Sequence, residues 1–174
     1  FFVQTLRMTS QQSSRQVAVQ LAASGIDRVR SIKGSGVTTG RDQASSERQW
    51  AARSGEVDEY LTAGTDDPDG AADLQLGWDP AAADDAGESA ALPTSPAPVT
   101  INSVAFQQNW YVVQCWLARG EPADDGCAAA QSVDDIRYHR VIVSVTWSDP
   151  TCPGSACAYV TSILASLLVS LTVT

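Results

Sequence analysis

The chain has 174 residues, 44% of them hydrophobic, which is enough for one packed domain and short for two. Eleven basic residues stand against 20 acidic ones, for a formal net charge of −9, and Lys33 is the single lysine. That balance excludes a nucleic-acid surface built on clustered Lys and Arg. Abundant Ala, Asp, Gly and Arg with so little Lys fits a high-GC bacterial genome.

Residues Phe1 to Ile32 read as one long helix without proline. Val17, Leu21, Val29 and Ile32, with Ala18, Ala22 and Gly25 between them, form an apolar stripe at helical spacing. Lys33-Gly34-Ser35-Gly36 supplies a basic last turn and then a stop. A helix of about 30 residues is ~45 Å long, longer than one side of such a domain. Its start, with Phe1, Phe2, Val3 and Leu6, is therefore expected to project.

Val37 to Pro98 forms an acidic connecting stretch. A short helix is expected from about Ala44 to Leu61 with Trp50, Val57 and Leu61 inward. The rest reads as a long surface loop tied down by Leu74, Leu76 and Trp78, with Leu92-Pro-Thr-Ser-Pro-Ala-Pro98 as a proline-rich spacer.

After Val99 the period becomes that of strands. Pro98 to Ile101 and Ser103 to Leu117 are rich in β-branched and aromatic residues, with Asn102-Ser103 between them as a turn. In Tyr138 to Trp147, Val141, Val143, Val145 and Trp147 share one side, and Arg140, Ser144 and Thr146 share the other, which Ile142 interrupts. Tyr159 to Thr174 closes the chain as an apolar strand. Its run from Ile163 to Val173 is short of the roughly 20 residues of a membrane helix.

The four cysteines, at 115, 127, 152 and 157, do not follow zinc-ligand spacing and have one histidine, His139, for company. Two local disulfides, Cys115–Cys127 and Cys152–Cys157, suit them better. Such bonds imply an oxidising compartment and contribute on the order of 2–3 kcal/mol each. No cleavable signal is visible ahead of Phe1, so the native N-terminus is expected upstream.

The order of these parts resembles that of type IV pilins and pseudopilins. Arg15-Gln-Val-Ala-Val-Gln-Leu-Ala-Ala-Ser24, Trp110-Tyr-Val-Val-Gln-Cys115, Tyr138 to Trp147 and Cys152 to Tyr159 are similar to stretches of actinobacterial prepilin-type proteins. The likeness is weak between about Arg41 and Pro98. It implies an α+β, pilin-like fold: a long N-terminal helix on a small antiparallel sheet of about four strands, with two local disulfides. One globular domain would comprise the helix at 1–36, the acidic αβ-loop region at 37–98, and the sheet with its disulfide-bounded region at 99–174.

The function implied is structural, as a major or minor subunit of a type IV pilus or pseudopilus, and not enzymatic. Phe1, Phe2, Val3, Leu6, Val17 and Leu21 would form the assembly helix, with other subunits as partners. The membrane would be met through a missing upstream segment, before the subunit reaches the cell surface. The family's apolar stretch with a glutamate at its fifth position is not present, since Phe1-Phe-Val-Gln-Thr5 looks like that stretch's far end. The alternative is a secreted binding or adhesion module for carbohydrate, with Trp110, Trp116 and Trp147 as a stripe on the sheet; core packing is the expected use of these rings.

No other constellation marks chemistry. His139 with Asp134 or Asp135 lacks a nucleophile elbow, and a surface or half-buried strand histidine is expected there. Asp84-Asp85 and Asp124-Asp125 read as solvated charge rather than glycosidase pairs. Thr65-Asp66-Asp67-Pro68-Asp69-Gly70 resembles a calcium loop, which would make Asp66, Asp67 and Asp69 the ligands. However, threonine stands at the first ligand position and Leu76 where the bidentate glutamate belongs. A solvated acidic turn without cofactor is expected.

Overall fold

The computed structural model describes residues 2–32, 34–53, 55, 57, 75–117 and 136–166, with side chains from residue 11 onward. Helix α1 (Phe2–Ser31) is followed by a 3₁₀ turn, Gly34–Val37, and by helix α2 (Gln43–Ala51). Among the described residues five strands follow: β1 (Gln75–Leu76), β2 (Ala97–Ile101), β3 (Val104–Leu117), β4 (Ile136–Ser148) and β5 (Ala156–Ser166). All pairings are antiparallel. Strand β3 bonds β4 along one edge; along the other it takes β2 near its start and β1 near its end.

The buried line of α1 runs through Ser14, Ala18, Ala22, Gly25, Ile26 and Val29, the i, i+4, i+8 spacing of a helix lying on a flat surface. Small residues dominate that line because the backbone comes very close to the sheet. A Cβ on Gly25 would meet Gln108 Nε2 at 2.6 Å and Val143 Cγ1 at 2.7 Å. Two hydrogen bonds fix the contact: Gln108 Nε2 donates to the Leu21 carbonyl at 2.7 Å, and Trp110 Nε1 to that of Gly25 at 3.3 Å. Arg28 lies 5.1 Å over the Trp110 ring.

Beneath α1 the sheet presents Phe106, Trp110 and Val112 from β3, Val141, Val143, Val145 and Trp147 from β4, and Cys157 from β5. The opposite face also has a core, formed by Tyr111, Val113, Cys115, Tyr138 and Ile142 under Trp50 and Val57. This second core explains Ile142, the residue that breaks the polar side of β4: both faces of the sheet are covered. For the same reason residues 108–113 of β3 are buried without interruption and lack the alternation of a half-exposed strand.

The turn between β2 and β3 is Asn102-Ser103, with φ of 51° and 64° at its two central residues. Positive φ at both positions is the hairpin geometry whose twist matches that of the flanking strands. The expected helix from Ala44 to Leu61 is interrupted. Helix α2 ends at Ala51, where Ala52 leaves helical geometry, and Gly55 and Val57 are helical again. Leu61 and Leu74 lie outside the described residues.

Candidate functional site

The acidic stretch is held by polar contacts, and Trp78, expected to tie it down, is exposed. Asp42 caps α2: one carboxylate oxygen accepts from the Ser45 backbone N–H at 2.8 Å and the other from that of Gly87 at 2.9 Å. These bonds, that of Ser45 first, hold its carboxyl at about 2. Beside it, Arg41 is buried, with its guanidinium donating to the Leu92 carbonyl at 2.5 Å and to Gln49 Oε1 at 2.7 Å. Burial lowers the Arg41 pKa to about 10 against the opposing pull of Asp42. The cation thus survives at neutral pH and fastens Leu92, itself fully buried, to α2.

Asp79 completes the knot. Its side chain accepts from the Gly40 and Ala81 backbone N–H groups, which lower its pKa, and its own N–H donates to the Arg41 carbonyl at 2.8 Å. A hollow of about 410 Å³ next to Asp79 is lined by Asp42, Glu47, Asp84 and Trp78. Both oxygens of Asp42 and both of Asp79 already face backbone N–H groups. Among the described residues no group of three or more His, Cys, Asp or Glu is placed to hold a metal ion.

On the face of the sheet opposite α1 lies a cleft of about 280 Å³. Ser45 and Gln49 of α2 form one wall, Thr94 and Pro96 the other, and Asn109 and Tyr111 of β3 the floor. Arg48 and Glu88 stand at its edge. Arg48 donates to Asp85 at 2.7 Å, which raises its pKa, and to Ser45 Oγ at 2.9 Å. The walls meet closely at Gly87, where a Cβ would lie 2.5 Å from Thr94 Oγ1.

The residues singled out in the sequence fall elsewhere. Trp110 and Trp147 are buried beneath α1, and Trp116 lies on that same face of β3, so the three rings form no open stripe. His139, expected as a surface or half-buried strand histidine, is 5% exposed. It lies against Gly77, where an added Cβ would sit 3.2 Å from its ring, and it pairs in register with Gln114 and Ala165. Burial, then the nearby Arg137, lowers its pKa to about 4. Asp134, Asp135, Asp124 and Asp125 lie outside the described residues, as do the calcium candidates Asp66, Asp67 and Asp69.

The bond Cys152–Cys157 is present, with its Cα atoms 5.4 Å apart across the turn into β5. Cys115 is buried in the second core, and Cys127, its expected partner, lies outside the described residues. Of the assembly-helix residues, Val17 and Leu21 are half-buried against the sheet. Phe1 and the side chains of Phe2, Val3 and Leu6 fall outside the described part.

Sequence reasoning missed Asn109, Gln49 and Thr94. One signal was available for Asn109, a carboxamide inside the apolar run of β3. No family model matches the chain, and neither a curated protein nor a solved structure matches it.

Proposed function

We propose that the chain is the sheet-bearing part of a type IV pilin-like subunit, with α1 as its assembly element. The observation that carries this reading is a 30-residue helix laid across a sheet dominated by two long strands, β3 and β4. The helix is ~45 Å long, and among its described side chains the buried line begins only at Ser14. Its outward side from residue 12 to 31 is polar or small apart from Val19. The Cys152–Cys157 bond supports an oxidising, extracellular setting. No helix among the described residues is long and apolar enough to cross a membrane, so the reading takes its membrane anchor from the pilin resemblance.

In this reading α1 packs among copies of itself, and the sheet with its acidic flank faces outward as a structural, non-catalytic surface. The test is to shear surface appendages from cells expressing the complete gene and probe them with an antibody raised against residues 11–166. Fibres decorated by the antibody are expected. Recovery of the chain only as free protein in the medium, or only inside the cell, would overturn the proposal.

A further inference from the structure

The cleft beneath α2 collects polar groups that the fold itself does not use. Asn109 is 8% exposed, its side chain has no hydrogen-bond partner among the described residues, and it forms part of the cleft floor. Its amide atoms are not among those sealed from solvent, so the accessible remainder of the residue opens into the cleft. Thr94 is 6% exposed and its hydroxyl is in the same condition. Behind these, Gln49 Nε2 and Ser144 Oγ are sealed and without partners. Ser144 lies directly opposite Asn109 in the β3–β4 register, and Gln49 shares the cleft wall.

Four unpaired polar groups around one cleft are unusual, because a buried donor or acceptor without a partner opposes folding. The carboxylates of the acidic stretch show the contrary habit, with both oxygens of Asp42 and of Asp79 occupied, although the Arg41 Nε is buried without a partner. The two open groups, a carboxamide and a hydroxyl, each donate and accept. A sugar hydroxyl, itself donor and acceptor, satisfies that pattern better than an anion or a cation. The charges at the rim agree, since Arg48 is already bound to Asp85 and Glu88 stands near it with opposite sign. Pro96 and Tyr111 add apolar surface for the carbon face of a ring. At about 280 Å³ the cleft suits one such ring and not an extended chain.

We infer that this cleft binds a single neutral, polyhydroxylated ring, one unit of a glycan, through Asn109 and Thr94. This site is independent of α1 and of assembly, and it is separate from the buried tryptophans.

The experiment is an NMR titration of the ¹⁵N-labelled chain, following the Asn109 side-chain amide. The probes are the methyl glycosides of glucose, galactose, mannose and N-acetylglucosamine, with sodium acetate and sodium phosphate as charged comparisons. At least one glycoside is expected to shift that amide saturably. Asn109→Leu should weaken its binding at least about tenfold while the thermal melt stays cooperative. Should Asn109→Leu fail to fold, Thr94→Val keeps the shape and the backbone bond to Gly87, and the same loss is expected. The inference is overturned if no glycoside shifts the amide, if only acetate or phosphate does, or if binding survives in the variants that fold.

Discussion

His139 shows how a single buried titratable group couples this fold to pH. It sits under Gly77 with its Nδ1 unpartnered, and the other side chains nearest Gly77, Thr38 and Val112, carry no charge. Arg137, two residues along β4, opposes its protonation. Its pKa is therefore lowered from 6.5 to about 4, and the unfolded chain binds a proton more readily than the folded one. Stability is full above pH 6.5 and falls as the pH drops toward 4, by up to about 3 kcal/mol. Thermal melts from pH 7.5 to 4 should show this slope, and His139→Gln should flatten it. A wild-type midpoint unchanged between pH 7 and 4.5 would contradict the burial seen here. Asp42 acts in a lower window: its carboxyl falls from 3.8 to about 2, so its contribution is lost only below about pH 4. That His139 lies on an inward-facing register with Val141 and Val143 was legible in β4. Its full burial was not, because Gly77 covers it from a segment far away in sequence.

At the scale of elements, α1 and the two long strands were legible because each repeats its own period over many residues. The stripe of Ala18, Ala22 and Val29 was evident, yet Ile26 joined it unannounced, since Gly25 beside it had been assigned the inward place. Both point inward because 3.6-residue periodicity leaves two adjacent positions facing a broad, flat sheet. The contact at Gly25 is the sharpest constraint on how the helix sits. By helix propensity alone, Gly25→Ala should stabilise by roughly 1 kcal/mol. The added methyl would meet Gln108 Nε2 at 2.6 Å, Val143 Cγ1 at 2.7 Å and Trp110 Nε1 at 3.3 Å. Overpacking against strands that cannot recede should outweigh propensity and leave a net loss of about 1–3 kcal/mol. Chemical denaturation of the two proteins decides it. A gain in stability would mean that the helix rides higher on the sheet.

Across the whole molecule, the sheet is a shared middle layer, with α1 on one side and α2 with Val57 on the other. The second layer was legible in its short helix with Trp50 and Val57 inward, but not in the contacts that hold it. Its helix is short, and its stretch is stitched by Arg41, Asp42 and Asp79 through contacts spanning up to 52 residues. A charged residue that binds distant backbone groups reads in sequence like one that is merely solvated. The same difficulty hid the cleft, whose walls come from α2 and from the spacer before β2. Because the sheet is covered on both faces, the described part of α1 has only its outward side left for the proposed contacts with other subunits. Val19, 39% exposed, is the large hydrophobic residue there. Replacing it with glutamate touches no core contact and improves helix propensity, so the melting free energy should move by less than about 0.5 kcal/mol. In a packed filament the same carboxylate would lie among apolar and small side chains without a partner, a costly burial. Val19→Glu is therefore expected to fold as wild type while its amount in sheared fibres drops at least about tenfold. Wild-type incorporation of a folded Val19→Glu chain would remove this side of α1 from the assembly surface. An unfolded variant is not expected at this position, whereas Ala22→Glu, at the fully buried position of the same helix, should fail to fold. Comparing the two separates the helix's role in holding the domain from its proposed role in joining subunits.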